Sequence, residues 1–279
     1  IGKFGVGFKA VFQYSETQHI YDPKFQFKIN RFIIPVKLEN DLSGRQKDET
    51  VFYFPFNKPE MSAEKAHSDI LGKLKKLVFP TLFLSSLEEV KWRADKETGE
   101  YTKKIIAKRN QFNSIFYEKV ELYQQIGLQQ TKEKLYLFYH SSEENSYSVG
   151  FFLDKEGKLM PKQFYAFCFF PTKVTTNLNF IIHAAFLLTD SREGIKESDE
   201  HNINIIEKLG NLSADSLLVL KELKLIDDNI FNILPYQKES FFEKVWDQDE
   251  YEDIDKPKFL APFYEKIKDK LKTEGILPA

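Results

Sequence analysis

Apolar residues return at every second position early in the chain: Phe25, Phe27 and Ile29 alternate with Gln26 and Lys28. That period of two marks a strand with one wet face. Residues 19–22, 31–38 and 50–56 read as further strands, the last running Thr-Val-Phe-Tyr-Phe-Pro-Phe and closing at Pro55. Residues 40–49 are polar, carry charges of both signs and contain Gly44, so an exposed loop is expected there. Residues 8–14 fit a short helix packed on a core. Over residues 62–77 the period lengthens, and Ala66, Ile70, Leu74 and Leu77 share a helical face. Ser62 stands at the N-cap, and Lys73, Lys75 and Lys76 stand where the helix dipole favours cations. Pro80 follows as a stop.

From about Leu84 strands dominate, at residues 90–93, 101–108, 114–122, 135–140, 148–153, 164–170 and 180–188. Residues 95–100 and 154–158 are polar, Gly-containing connections of hairpin length. Residues 202–223 are the clearest helix. Ile203, Ile206, Gly210, Ser213, Leu217 and Leu220 share a face, and Ser198 or Asp199 is placed to cap it. Beyond Leu225, acid-rich stretches such as residues 247–255 alternate with short apolar clusters, and residues 263–271 read as a last helix. A helix-and-strand segment, then many strands, then helices is an α+β order with a boundary expected near residues 80–90.

Composition changes this picture little. The chain has 27 Phe in 279 residues and 15% aromatics, which excludes a disordered polymer. Many of the Phe fall in the strand runs, so the excess reads as sheet core rather than as a functional signal. Forty basic against 42 acidic residues leave a net charge of −2, with no global basic excess to draw nucleic acid or an anionic membrane. The single Cys168, within Phe167-Cys168-Phe169-Phe170, cannot form an intramolecular disulfide and reads as a core thiol. No apolar run approaches the roughly 20 residues that span a bilayer, and no signal peptide is visible. A cytoplasmic location is therefore expected. The chain opens without an initiator Met, in what reads as the middle of a motif, so its true N-terminus is expected upstream.

Two stretches carry candidate chemistry. In Gly2-Lys3-Phe4-Gly5-Val6-Gly7-Phe8-Lys9, closely spaced glycines stand before a helix. Such glycines let backbone amides approach an anion, and the helix N-terminus adds a partial positive charge. Neither the Walker nor the Rossmann spacing is present, and a Gly-rich turn or tight helix contact is the structural alternative. In Thr189-Asp190-Ser191-Arg192-Glu193-Gly194-Ile195 an apolar strand ends in a charged turn that can present Arg192 to a phosphate. Its alternative is a surface Arg paired with Glu193 or Asp190. The five histidines are scattered without zinc-ligand spacing, and His183 reads as a core residue. No metal site is expected within this chain.

Ile1-Gly2-Lys3-Phe4-Gly5-Val6-Gly7-Phe8-Lys9-Ala10-Val11-Phe12 resembles the third ATP-binding motif of the GHKL ATPases (gyrase B, Hsp90, histidine kinase, MutL), in its Hsp90 form. His19-Ile20-Tyr21-Asp22, Phe32-Ile33-Ile34-Pro35, Phe170-Pro171-Thr172 and the Arg192 turn resemble the sacsin-type branch. The resemblance covers roughly residues 1–220. It implies that Gly5, Val6, Gly7 and Phe8 hold nucleotide phosphates, and that Thr50, in Glu49-Thr50-Val51-Phe52, supports the adenine-binding water network. It further implies that Arg192, in Ser191-Arg192-Glu193, contacts the γ-phosphate.

The family's general base, magnesium ligand and adenine-reading Asp belong to two motifs upstream of the third. ATP and Mg2+ are thus implied cofactors of the parent protein, both needing residues outside this chain. The expected architecture is the C-terminal part of a GHKL α/β sandwich (residues 1–83), a mixed-sheet transducer-like middle domain (84–225) and a helical C-terminal segment (226–279). The implied function is an ATP-driven conformational switch, chaperone-like or gating an attached effector. Its implied partners are ATP, a protein client or effector domain, and a second copy in a homodimer. The competing expectation is a non-catalytic protein- or nucleic-acid-interaction module with a degenerate ATPase motif.

Overall fold

A computed structural model describes residues 10–30, 33–84, 86–140, 147–235, 242–246, 253–257 and 259–277. The chain divides into two compact units, Ile1–Lys76 and Leu77–Ala279. Among the described residues it is a mixed α/β protein with large sheets and few helices.

In the first unit a 3₁₀ turn, Ala10–Gln13, buries Phe12. Strands β1 (Gln18–Tyr21), β2 (Gln26–Asn30), β3 (Ile34–Lys37) and β4 (Val51–Tyr53) follow, then helix α1 (Ala63–Lys75). The strands form an antiparallel sheet in the order β3-β2-β1-β4. The register sets Ile20 opposite both Phe27 and Phe52. These residues share one face with their second neighbours Phe25, Ile29 and Phe54. Ile20 is buried, but Phe25 and Phe52 are 55% and 54% exposed. The strand-run phenylalanines that read as sheet core are therefore not core at Phe25 and Phe52. Alternation decides which side chains share a face; whether a layer lies over that face is decided elsewhere.

Helix α1 starts where Ser62 accepts a hydrogen bond from the Lys65 amide, a cap worth about 1 kcal/mol. Its outer turn is tied to the 3₁₀ segment by polar side chains. The Tyr14 hydroxyl donates to the Asp69 carboxylate, and Lys73 Nζ lies 2.6 Å from the Tyr14 oxygen and 3.0 Å from Asp69.

The second unit is built on a long sheet. Its strands are β5 (Glu89–Ala94), β6 (Glu97–Phe112), β7 (Ile115–Ile126), β8 (Gln129–His140), β9 (Tyr147–Leu153), β10 (Leu159–Met160), β11 (Tyr165–Cys168), β12 (Phe170–Thr175) and β13 (Ile181–Ala184). The spatial order is β12-β11-β13-β9-β8-β7-β6-β5, with β10 pairing β9. Only β11 and β13 run parallel among the described pairs. Two-residue turns join β5 to β6, β6 to β7 and β7 to β8, with Asp95, Asn113 and Gly127 at φ of +52°, +52° and +57°. The connection expected at residues 95–100 shrinks to the first of these turns. The single strand expected at residues 164–170 is a hairpin instead, reversing at Phe169 with φ +64°.

Helices α2 (Glu200–Glu222), α3 (Ile230–Ile233) and α4 (Ala261–Thr273) complete the unit. One face of the sheet, with Phe138, Phe151 and Ile182, shares a buried core with Leu209 and Leu217 of α2 and Phe263 of α4. The other face, with Val120, Leu135 and Phe152, buries Leu82 and Phe83. Those two residues therefore belong with the second unit, and the division falls at residues 76/77 rather than at the expected 83/84. Residues 226–279 were expected to be a helical segment. They contain α4, which packs into the core, and the antiparallel pair β14 (Phe242–Trp246) and β15 (Asp253–Pro257). Asp199 caps α2, accepting from the His201 amide. Along α2, Ile206, Gly210, Ser213, Leu217 and Leu220 are buried as the spacing predicts, but Ile203 in the first turn is 48% exposed. No helix among the described residues is long and apolar enough to cross a membrane.

Candidate functional site

The glycine motif residues Gly5, Val6, Gly7 and Phe8 lie outside the described residues. Thr50 lies just before β4, exposed at the end of the first unit's described sheet. Its hydroxyl donates to Asp22 Oδ2 at 2.8 Å, leaving the oxygen lone pairs as acceptors. The Lys24 amide donates to Asp22 Oδ1, and that bond, with the Thr50 hydroxyl, holds the Asp22 carboxyl below the usual carboxylate range.

In the second unit the chain leaves β13 and makes a tight excursion between Leu187 and Lys196. Leu188 and Ile195 form a bridge at its neck. Inside it the Thr189 amide donates to the Gly194 carbonyl at 2.9 Å, the Arg192 amide to the Thr189 carbonyl at 2.8 Å, and the Gly194 amide to Thr189 Oγ1 at 3.1 Å. Arg192 sits at the tip with φ +61°, in the left-handed region that non-glycine residues rarely occupy. Such a conformation costs of order 1–3 kcal/mol and persists where surrounding bonds over-determine it.

The side chains of the turn are sorted. Glu193 pairs with Lys173 at 2.7 Å, and the Glu193 carbonyl accepts from the Lys173 amide at 2.6 Å. Glu193 is thus engaged elsewhere, and among the described residues the exposed Arg192 guanidinium makes no ion pair with Asp190 or Glu193. Its fork of donors is carried by an exposed residue on a hydrogen-bonded turn, the chemistry that recognises an oxyanion.

Sequence reasoning missed Asn202. It lies in the first turn of α2, fully buried, and its amide bonds to both limbs of the excursion. The Leu187 amide donates to Asn202 Oδ1 at 2.9 Å, and Asn202 Nδ2 donates to the carbonyls of Leu187 and Lys196 at 2.8 and 2.9 Å. The signal was a polar residue beside an apolar helical stripe, which reads equally well as a surface position.

Cys168 ends β11, and His183 lies in the neighbouring strand β13. Cys168 is half-buried with Sγ 3.5 Å from the Phe186 carbonyl. Burial pushes its thiol up, and the Phe186 hydrogen bond and the Arg192 charge oppose that only in part. His183 is buried and stacks on Phe83 at 4.2 Å between ring centroids, as a core histidine. Two open clefts in the second unit, of about 430 and 550 Å³, are lined by other residues, including Lys91, Arg93 and Glu100 in one and Gln163, Tyr165 and Thr172 in the other.

The fold among the described residues is that of a mixed α/β protein with large sheets and few helices. No protein-family profile matches the chain, and no solved structure matches it. The chain is similar to Protein NO VEIN of Arabidopsis thaliana, with 26% identity over 258 residues. The match takes in 82% of this chain and spans 9% of that much longer protein.

Proposed function

We propose that this chain is the rear part of an Hsp90/sacsin-type ATPase module together with its transducer-like domain, acting as an ATP-driven conformational switch. The observation that carries the reading is Arg192, which sits exposed on a hydrogen-bonded turn while its acidic neighbour Glu193 pairs with Lys173. The Ile1–Phe12 motif supplies the nucleotide class, and the first unit's open apolar sheet face suits the inner face of an α/β sandwich.

On this reading Gly5, Val6, Gly7 and Phe8 hold the phosphates through backbone amides, Thr50 offers its acceptor lone pairs to a water beside the base, and Arg192 meets the γ-phosphate. The fit is chemical. Arg192 has the donor set that a phosphoryl group requires, and Thr50 keeps its acceptors after donating to Asp22. Bound MgATP supplies a phosphoryl group whose charge needs stabilising during transfer, and an arginine in that role is worth about 10³-fold or more in rate. The general base and the magnesium ligands are assigned to upstream residues of the parent polypeptide. Coupling nucleotide state to a client, an attached effector or a second copy follows from the same switch.

ATP turnover in the full-length polypeptide, with and without Arg192→Ala, tests this. A loss on the order of 10³-fold is expected, and equal turnover removes Arg192 from the mechanism. The second reading, a non-catalytic interaction module, draws on the exposed Phe25, Phe52 and Phe56. It gains if the full-length polypeptide binds no ATP.

A further inference from the structure

Apart from its own bridge Leu188–Ile195, the excursion from Leu187 to Lys196 meets a strand among the described residues near its tip, where the Lys173 amide of β12 donates to the Glu193 carbonyl at 2.6 Å. Asn202 fastens its base. Its side-chain amide meets the N–H and the C=O of Leu187 as a neighbouring peptide would, and reaches the Lys196 carbonyl on the opposite limb. The Lys196 amide closes the same neck by donating to the Leu187 carbonyl at 3.0 Å, and the Asp199 amide donates to the Lys196 carbonyl at 3.1 Å. The turn tip, where Arg192 is held at positive φ, thus stands on a base fastened to the first turn of α2.

We infer that Asn202 is the positioning residue of the Arg192 turn, so that the direction of the Arg192 guanidinium is set by helix α2. An apolar residue would fill this buried place at least as well for packing. It would leave the part-buried Leu187 N–H without the partner that Asn202 supplies, and would remove both bonds to the Leu187 and Lys196 carbonyls. Helix α2 in turn meets α4 closely. A Cβ on Gly210 would lie 3.2 Å from the Pro262 carbonyl oxygen, and Lys270 pairs with Asp215 at 2.7 Å. A displacement of α2 against α4 is therefore passed to the base of the Arg192 turn through the Asn202 side chain and the Asp199 amide at the helix N-cap. The link between Asn202 and turnover rests on the proposed function above; the link between Asn202 and the turn does not.

The test has two arms. In the first, amide hydrogen exchange is followed on this chain with Asn202→Ala and Asn202→Asp, the latter keeping the acceptor and removing both donors. The amides of Thr189 and Gly194 are expected to exchange ten- to hundredfold faster in both variants, and that of Leu187 in Asn202→Ala, with those of Leu209 and Leu217 unchanged. Unchanged exchange in the turn overturns the inference. So does equal loss of protection in turn and helix, or failure of both variants to fold, because Asn202 then serves general stability.

In the second arm, kcat and KM for ATP are measured on the full-length polypeptide carrying Arg192→Ala, Asn202→Ala and both. A residue acting through Arg192 lowers kcat with KM kept, and adds nothing in the Arg192→Ala background. Additive losses overturn the positioning role. If Arg192→Ala leaves turnover intact, the ATPase reading falls, while the exchange arm still decides whether Asn202 holds the turn.

Discussion

Gly99→Ala is expected to destabilise the second unit by forcing Trp92 out of its seat. The register pairs Trp92 of edge strand β5 with Gly99 of β6. A Cβ on Gly99 would lie 2.2 Å from Trp92 Cε2 and Nε1 and 2.5 Å from Cζ2. Carbon atoms prefer about 3.5–4.0 Å, so the overlap exceeds an ångström and the indole must swing away. Trp92 is only 9% exposed. An aromatic side chain buries about 150–250 Å², or roughly 4–6 kcal/mol at about 25 cal/mol per Å², and a compact unfolded chain reduces that value. Replacing a strand glycine returns about 0.5–1 kcal/mol. The net loss is about 2–4 kcal/mol, which for a unit of this size lowers Tm on the order of 4–15 °C. The chain has two tryptophans, so a Trp246→Phe background leaves Trp92 as the sole indole reporter. Gly99→Ala should red-shift its emission and lower Tm, and should be neutral once Trp92 is itself Ala. An unshifted emission with Tm within about 2 °C of the parent would refute the packing argument.

Two further outcomes follow from half-buried titratable groups. Burial pushes the Lys103 ammonium down, with Nζ 3.2 Å from the Leu82 carbonyl, so the folded state releases this proton more readily than the unfolded chain. Between the folded pKa and the ordinary lysine value the unfolded state holds more protons, so this contribution to stability grows as pH rises through that window. Urea denaturation should show the wild type gaining on Lys103→Met from neutral pH to about pH 10; a constant difference would refute it. The raised thiol of Cys168 predicts alkylation near neutral pH at least about tenfold slower than that of a solvent-exposed thiol, speeding up in urea. Equal rates in native and denatured protein would contradict its burial.

Much of the framework was legible in the residues. Alternation at Phe25, Phe27 and Ile29 marked β2, helical spacing marked α1 and α2, and Ser62 and Asp199 stood at their caps, because periodicity and capping are local properties. The Phe169 reversal was not legible. A bulky residue at positive φ carries no turn signature, and the hairpin there is imposed by pairing β11 with β12. The length of β6 was underestimated for a similar reason. Its polar ends, Glu97 and Asn110 among them, are strand only because partners on β5 and β7 pair with their backbones.

The same division runs through the candidate site. The residue types on offer are read from the chain alone: a glycine-rich opening, a threonine before a strand, and an arginine in a charged turn. So is an apolar, sheet-rich interior. It took the folded arrangement to pair Glu193 with Lys173 and leave Arg192 exposed, and to bury Asn202 while Ile203 stays half exposed. That arrangement likewise decided that Leu82 and Phe83 join the second unit. Each of these depends on contacts between residues far apart in the chain, and local pattern carries no information about which distant group will satisfy a charge, fill a cavity or cover a face.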